Sequence, residues 1–393
     1  MRRIAVVTGA RSDYGYLWPV MKRIQADPEL ELLVVVTGMH LSPEFGLTVD
    51  QIVADGFEIA QRVEMVLSAD TPSAIGKSMG LGLIGMAQAY ESLKPDLLVV
   101  LGDRYETLAA AAAMMPYGVP IAHIAGGETS QGAVDENIRH ALTKLSHLHF
   151  VSTEAYRQRI IQMGEEPWRV VVSGAPTLDN LAKLILHDQD ELERELGVSF
   201  DPQPLLVTFH PVTLEPEQTT QHVDELLSAL NAADRPILFT YPNADAQGRM
   251  IIDRIEQYID AHNNAKAIVN LGTRAYFSAM KNAAAMVGNS SSGIIEAGSF
   301  GLPVVNVGNR QQGRIHGPNV IDTPCRHDDV LKAIVRATDP EFRHQIAQMK
   351  NPYGEGRAAE VIVRTIKETP LDQRLRVKRF HDISTEDGEQ CAM

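Results

Sequence analysis

Three carboxylates follow consecutive apolar segments in the first half of the chain. Asp103 comes directly after one segment, Glu128 follows the paired glycines that end the next, and Asp135 opens the helical stretch beyond. Each alone has a simpler explanation, as a helix cap or an acidic first turn. Several carboxylates at one sheet edge raise one another's pKa, and they can then supply an acid and a base near neutral pH. Their convergence predicts proton-transfer chemistry.

A turn rich in serine and glycine in the second half is suited to a diphosphate. It follows a strand-like run and leads into a helix, and hydroxyls and free N–H groups in such a turn can hold phosphate oxygens. An acid one turn into the helix can accept hydrogen bonds from ribose. Serine capping explains part of this pattern, but three serines exceed what a cap needs. The candidate ligand-binding residues are Ser290, Ser291, Ser292, Gly293 and Glu296, followed by the basic side chains of Arg310 and Arg314.

Further polar side chains lie where other predicted strands end. The segment from Gly9 to Gly15 has neither the Walker pattern nor a dinucleotide fingerprint, but it opens a helix with an arginine suited to phosphate. Histidine or asparagine occupies the loop directly after other predicted strands, although a lone histidine in such a loop is more often structural. These additional candidates are Arg11, His40, Arg104, His210 and Asn243.

Composition excludes several classes of protein. The 393 residues predict two domains, and 36 basic against 50 acidic residues give a net charge of −14, which argues against nucleic acid and anionic membranes as partners. Apolar runs are too short for a signal peptide or a membrane span. Two cysteines, Cys325 and Cys391, suit a reducing compartment, and no spacing indicates a metal site. We expect a cytoplasmic protein without bound metal.

Short β-branched runs alternate with helical stretches, which predicts an α/β protein with two Rossmann-like domains. The first domain is expected over residues 1–176 and the second over 177–365, and two such sheets facing each other would form a cleft. Strands are expected at Ile4–Thr8, Leu32–Thr37, Asp96–Leu101, Pro120–Ile124, His149–Ser152, Leu205–Phe209, Ile237–Tyr241, Ala267–Asn270, Ala285–Val287 and Val304–Val307.

Taken together, these segments resemble a known family, the hydrolysing UDP-N-acetylglucosamine 2-epimerases of bacterial sialic-acid synthesis. The resemblance extends from about Ile4 to about Thr365 and takes in the enzymes of legionaminic-acid synthesis, which act on a 2,4-diacetamido-2,4,6-trideoxy sugar nucleotide. Non-hydrolysing relatives carry an acid where this chain has Ala125, so the acid role is transferred to Glu128. The motifs that carry it are residues 10–15, 37–42, 101–106, 123–128, 138–140, 289–293 and 310–314.

The resemblance implies the B-type glycosyltransferase fold, with UDP in the cleft and residues 366–393 returning onto the first domain. It implies elimination of UDP to a 2-acetamidoglucal, then hydration, giving N-acetylmannosamine without a cofactor. Asp103, Glu128 and Asp135 are the implied proton-transfer groups, and His210 contacts or protonates the diphosphate. Relatives also imply a homodimer or homotetramer. The implied UDP ligands are Arg11, Asn243, Ser290, Ser291, Glu296 and Arg310.

Three alternatives stay open at this point. The substrate sugar could be the 2,4-diacetamido-6-deoxy compound instead of N-acetylglucosamine. A retaining glycosyltransferase on the same fold would require an acceptor. A non-catalytic nucleotide-sugar binding protein would release nothing, and the clustered carboxylates argue against it.

Overall fold

The computed structural model describes residues 1–68, 71–129, 134–212, 216–242, 248–268 and 271–383. The strands are β1 (Arg2–Thr8), β2 (Leu30–Thr37), β3 (Ile59–Val63), β4 (Leu97–Leu101), β5 (Ile121–Ile124), β6 (Leu148–Val151), β7 (Val170–Val172), β8 (Leu205–Thr208), β9 (Ile237–Thr240), β10 (Ala265–Ile268), β11 (Ala285–Gly288), β12 (Val304–Val307) and β13 (Val320–Thr323).

The helices alternate with these strands, and short 3-10 turns join some of them. They are α1 (Arg11–Gln25), α2 (Val49–Ala54), α3 (Pro72–Leu93), α4 (Tyr105–Met114), α5 (Val134–Leu145), α6 (Glu154–Gln162), α7 (Thr177–Lys183), α8 (Gln189–Leu196), α9 (Thr219–Ala232), α10 (Gly248–Ala261), α11 (Gly272–Asn282), α12 (Ser291–Ile295), α13 (His327–Ala337), α14 (Pro340–Ile346), α15 (Ala358–Glu368) and α16 (Gln373–Arg376).

The first unit contains a parallel sheet of seven strands in the order β3-β2-β1-β4-β5-β6-β7. Its inner strands β4, β5 and β6 are buried along their whole length. Helices cover both faces, and one apolar core packs on each face. Because both faces are buried, these strands are largely apolar, with His123 in β5 and His149 in β6 as the exceptions, which is why the sequence predicts them well.

The second unit repeats this plan with six parallel strands in the order β10-β9-β8-β11-β12-β13. Strands β8, β11 and β12 are fully buried, again between two apolar cores. The predicted fold class, α/β with two Rossmann-like domains, is confirmed. Among the helices of the described residues, none has the combination of length and apolarity needed to cross a bilayer.

Three edge strands are missing from the strands expected above: β7, a run of three valines, and the more polar β3 and β13. Their residues are only partly buried, since an edge strand has one open side and β3 includes the exposed Arg62. Polar residues interrupt the apolar run in β3 and β13, so nothing in the composition of these two separates them from loops.

The chain returns to the first unit earlier than the family resemblance implies. Within the described residues, that unit contains 1–129, 134–180 and 353–383, and the second unit contains 181–352, whereas the sequence analysis divides the chain at 176 and 366. Helix α7 begins in the first unit because both oxygens of buried Asp179 accept hydrogen bonds from the backbone N–H groups of Ala358 and Ala359. The hydroxyls of Tyr156 and Tyr353 lie 3.1 Å apart, where the chain re-enters.

A buried arginine fixes the last described segment to the first unit. Arg169 is fully buried and donates to the carbonyl oxygens of Arg374, Leu375 and Val377 at 2.8–3.1 Å. Its Nε donates to Glu166 at 2.8 Å. The guanidinium therefore satisfies three carbonyl oxygens that come after α15.

Replacing Arg169 with methionine is expected to lower the free energy of unfolding by about 3–5 kcal/mol, because the three carbonyls lose a buried donor. Urea denaturation measures this loss, and amide hydrogen exchange should increase in residues 374–383. Arg23→Met is the matched control, since Arg23 pairs with Glu360 at the surface and its loss should cost less than about 1 kcal/mol. Equal stability of the two variants would contradict the assignment.

Candidate active site

The predicted carboxylates lie at the carboxyl edge of the first sheet. Asp103 follows β4, and Glu128 follows the neighbouring strand β5. Arg139 on α5 is 3% exposed, and it contacts Asp103 through Nη2 and donates to Glu136 through Nη1 at 3.0 Å. One guanidinium thus compensates two carboxylates, Asp103 and Glu136. The predicted acid Asp135 begins the same helix as an exposed side chain.

Two glycines hold Glu128 in place. A side chain at Gly127 would lie 2.7 Å from the carbonyl oxygen of Tyr156, and its φ of +72° also favours glycine. A Cβ at Gly126 would lie 3.0 Å from His123 Nδ1. This close packing of the glycine backbone against its neighbours accompanies the burial of Glu128, which is 6% exposed. Ser152 Oγ donates to Oε1 of Glu128 at 3.0 Å. One carboxylate oxygen of Glu128 is therefore oriented by a hydroxyl.

His123 connects the turns that carry the two acids. Burial lowers the pKa of His123 to about 3, so the ring is neutral at physiological pH. Its Nε2 lies 2.7 Å from the carbonyl oxygen of Gly102, which can only accept, so Nε2 carries the proton. The neutral ring fixes the backbone just before Asp103 without adding charge.

Arg104 was expected to bind substrate, but the structure pairs it with acids of the protein. Its Nη2 and Nε donate to the two oxygens of Glu106 at 2.7 and 3.2 Å, and Glu106 is 1% exposed. Asp13 lies 4.0 Å from Arg104 Nε. Burial raises the pKa of Asp13 to about 6, although the Arg104 guanidinium opposes that shift. Asp13 therefore titrates close to neutral pH.

His40, one of the expected substrate-binding residues, lies in the interior of the first unit. It is completely buried, with Nε2 2.9 Å from Thr8 Oγ1 and Nδ1 2.6 Å from Thr48 Oγ1. Because both ring nitrogens are engaged, His40 positions the end of β1 and does not present a free group. Arg11, in contrast, is exposed at the start of α1.

In the second unit, the serine turn is held against the end of β8. A Cβ at Gly288 would lie 1.9 Å from the carbonyl oxygen of Thr208, so only glycine fits there. Asn289 then accepts from the N–H of His210 at 2.7 Å and donates to its carbonyl at 2.8 Å. Burial lowers the pKa of His210 to about 3, and the charge of Arg310 adds to the shift. His210 is therefore neutral in this state.

The two predicted arginines of the following loop occupy different surroundings. Arg310 Nη1 donates to the carbonyl of Asn289 at 3.0 Å, and Gln311 Nε2 donates to the same oxygen at 2.8 Å. Arg314 lines a cavity of about 580 Å³ together with His316 and other side chains. Arg310 is thus tied directly to the serine turn through Asn289.

A tyrosine that the sequence analysis did not consider completes this turn. Tyr276 makes side-chain hydrogen bonds with Ser292, Thr208 and Ser290, and it lies in the electrostatic field of Glu296. Burial raises the pKa of Tyr276 to about 12, so the phenol keeps its proton. Ser290 caps α12 by accepting from the N–H of Ser292 at 3.4 Å.

Three further candidates belong to the same region. Ser291 is half-buried beside the cap, and Glu296 is 7% exposed at the end of α12. Gly293 is buried, and a Cβ there would lie 2.9 Å from Val304, so glycine allows α12 to pack closely on β12. Asn243 lies outside the described residues.

The sequence analysis therefore missed several groups beside its candidates. Asp13, Glu106 and Arg139 belong to motifs that the family resemblance already quoted, and that membership is the signal that could have identified them. Tyr276 has no such signal, since it lies in no motif and reaches the serine turn only through the fold.

The chain is similar to known proteins over most of its length. The profile described as UDP-N-acetylglucosamine 2-epimerase matches residues 22–367. The chain is 38% identical to the UDP-N,N'-diacetylbacillosamine 2-epimerase (hydrolyzing) of Legionella pneumophila, covering 95% of this chain and 98% of the relative. It is also 38% identical to the GDP/UDP-N,N'-diacetylbacillosamine 2-epimerase (hydrolyzing) of Campylobacter jejuni, covering 97% and 99%.

Two further comparisons involve Neisseria meningitidis. The chain is 32% identical to its UDP-N-acetylglucosamine 2-epimerase over 86% of this chain and 88% of the relative. The crystal structure of UDP-GlcNAc 2-epimerase from N. meningitidis bound to UDP-GlcNAc superposes with a TM-score of 0.80 at 19% identity, covering 94% of this chain and all of that one. The profile match and the relatives at 38% identity establish that the chain belongs to the UDP-N-acetylglucosamine 2-epimerase family, among its hydrolysing members.

Proposed function

We propose that this hydrolysing UDP-sugar 2-epimerase acts on a UDP-2,4-diacetamido-2,4,6-trideoxyglucose and releases UDP and the free manno-configured sugar. The proposal rests on the carboxylates at the carboxyl edge of the first sheet, with Asp103 held by Arg139 and Glu128 held by Ser152. Two positioned acids are what proton removal at C2 and proton return on its other face require.

The first step assigned to the first unit is elimination. A carboxylate takes the proton from C2 while the C1–O bond breaks, and the electron pair leaves with UDP to give a 2-acetamidoglucal. Water then adds hydroxyl at C1, and a proton is delivered to C2. Asp103, Glu128 and the exposed Asp135 are the proposed proton-transfer groups, and Asp13 adds a carboxyl that titrates near neutral pH.

The step assigned to the second unit is stabilisation of the departing diphosphate. The hydroxyls of Ser290 and Ser291, the guanidinium of Arg310 and the exposed Arg11 of the first unit are proposed to bind it, and Glu296 the ribose. Neutral His210 can donate a hydrogen bond to a phosphate oxygen. An arriving anion would raise the pKa of His210, which burial and Arg310 hold at about 3, and so favour proton transfer to the leaving group.

The choice of sugar follows the relatives. Those at 38% identity carry names for the diacetamido sugar, whereas the UDP-N-acetylglucosamine enzyme of N. meningitidis is 32% identical. This reverses the order favoured by the sequence analysis, in which UDP-N-acetylglucosamine came first. The name of the Campylobacter enzyme includes GDP, so the nucleotide base is a second variable.

Proton NMR in D2O tests reaction and substrate together. The protein is incubated without acceptor with UDP-N-acetylglucosamine, with the UDP-diacetamido sugar, or with its GDP counterpart. We expect free sugar with deuterium at C2, and the highest kcat/KM for the UDP-diacetamido sugar. A higher kcat/KM for UDP-N-acetylglucosamine would overturn the substrate alone. Failure to release the nucleoside diphosphate, UDP or GDP, from any of the three donors would overturn the reaction.

Asp103→Asn and Glu128→Gln are each expected to reduce UDP release by about 10²–10⁴-fold, because each amide removes a proton-transfer group. UDP affinity, measured by calorimetry, should stay within about threefold, because the proposed diphosphate ligands are intact. Asp96→Asn is the matched control, since Asp96 is exposed near the opposite end of β4 and should leave the rate unchanged. Wild-type turnover by either test variant would remove that residue from the mechanism.

Asp13→Asn is expected to stabilise the protein more at pH 8 than at pH 5, by about 1–2 kcal/mol. Burial raises the pKa of Asp13 from 3.8 to about 6. Ionising Asp13 therefore costs more free energy in the folded protein than in the unfolded chain, and this cost lowers the stability as the pH rises from 5 to 8. The asparagine variant has no such cost. Urea titrations of both proteins at both pH values measure the difference, and a pH-independent difference would show that Asp13 ionises normally.

A further inference from the structure

The turn that carries Glu128 begins in a backbone conformation that alanine rarely adopts. Ala125 has a φ of +62°, in the left-handed region, and Gly127 follows with a φ of +72°. Glycine enters this region without a steric cost, whereas a residue with a Cβ is strained there. Strain of this kind persists only where surrounding contacts fix the backbone. Residues 125–129, which we call the Glu128 turn, therefore depend on contacts from outside the turn.

Helix α6 supplies a side chain that holds the Glu128 turn on both sides of the carboxylate. Arg159 Nη1 donates to the carbonyl oxygen of Gly127 and, at 2.7 Å, to Oγ1 of Thr129. Thr129 is buried, so this hydroxyl is removed from bulk water. One nitrogen atom thus joins the residue before Glu128 to the residue after it.

The charge of Arg159 is used differently from the charges of the other arginines near this sheet edge. Arg139 and Arg104 contact carboxylates. Arg159 instead contacts the Glu128 turn and the ring of Tyr156, and within the described residues it pairs with no carboxylate. Hydrogen bonds from a charged donor are shorter and stronger than those from a neutral one. The guanidinium therefore restrains the turn strongly, without a carboxylate competing for it.

The support on which Arg159 lies is itself rigid. Tyr156 is fully buried, its ring centre lies 5.5 Å from the guanidinium carbon of Arg159, and its hydroxyl lies 3.1 Å from that of Tyr353. The carbonyl oxygen of Tyr156 also closes on Gly127, where no Cβ would fit. The Glu128 turn is therefore confined between the backbone of α6 and the guanidinium that the same helix carries.

We propose that Arg159 is a positioning residue for Glu128, which fixes the strained backbone on both sides of this residue so that its carboxylate meets the substrate in one orientation. The inference rests on the proposed function, in which Glu128 transfers a proton at C2. Proton transfer requires the two groups within hydrogen-bond reach, and a displacement of about 1 Å lowers a rate about 10²-fold. Arg159 thus acts on the rate of proton transfer and not on the binding of UDP.

Steady-state kinetics of Arg159→Met with the UDP-diacetamido sugar test the proposal. We expect kcat to fall about 10–100-fold, with KM and the affinity for UDP within about threefold of the wild type. Arg159→Lys keeps a charged donor and should remain within about tenfold of the wild type. Arg157→Met is the matched control, because Arg157 lies on the same helix but donates to the Val170 carbonyl and to Glu154, so kcat should not change. Circular dichroism and thermal melting show whether each variant is folded.

A double variant separates positioning of Glu128 from general support of the fold. In a Glu128→Gln background, Arg159→Met is expected to change the residual rate of UDP release by less than about threefold, because the group that Arg159 positions is already gone. A general structural role predicts the same fractional loss in both backgrounds. Long incubations at high enzyme concentration make the residual rates measurable.

Each contrary result has its own meaning. An unchanged kcat for folded Arg159→Met, or an equal fractional loss in both backgrounds, would overturn the inference and leave the proposed function intact. A raised KM with unchanged kcat would also overturn it, since Arg159 would then bind substrate directly. Wild-type turnover by Glu128→Gln would remove Glu128 from the mechanism, and the role of Arg159 would fall with it.

Discussion

The structure depends on charge compensation at the carboxyl edge of the first sheet. Asp103, Glu106 and Asp13 converge there because they follow the carboxyl ends of two neighbouring parallel strands, β4 and β1. Their mutual repulsion in a half-buried setting is costly unless cations are held among them. Arg139 is held against Asp103 and Arg104 against Glu106. Asp13 lies 4.0 Å from Arg104, and burial raises its pKa to about 6 against the opposing effect of that guanidinium.

Neutral histidines position the carboxyl edge of the first sheet without changing the balance between its carboxylates and arginines. His123 and His40 are buried, and burial lowers their pKa values to about 3 and about 4. Each holds the backbone or a hydroxyl near a strand end. A lysine or arginine there would change the charge seen by the acids, and an apolar residue would leave the Gly102 carbonyl without its donor. A neutral imidazole donates a hydrogen bond without carrying charge.

Much of the fold and part of the site could be predicted from the sequence, and the limits have physical causes. Buried central strands are continuous apolar runs, so β4 and β12 were predicted within a residue of their ends, whereas the partly exposed β3 carries no such signal. The placement of Asp103 and Glu128 at strand ends follows from local order. Their partners do not, because Arg139 is 36 residues from Asp103 and only tertiary packing joins them. The complete burial of His40 could not be predicted either, because a strand-end motif does not show which of its side chains are buried.

Charge also constrains how a sugar nucleotide could be bound. The net charge of −14 repels an anionic ligand at long range, but salt screens that field beyond about 8 Å under physiological conditions. Attraction must therefore come from groups at contact distance. In the second unit, Arg310 is held on the Asn289 carbonyl beside neutral hydroxyls, and Tyr276 keeps its proton there because burial raises its pKa to about 12. A turn built from hydroxyls and one fixed guanidinium offers hydrogen-bond donors to a diphosphate. Because most of these donors are neutral, little positive charge is left without a partner after the diphosphate departs.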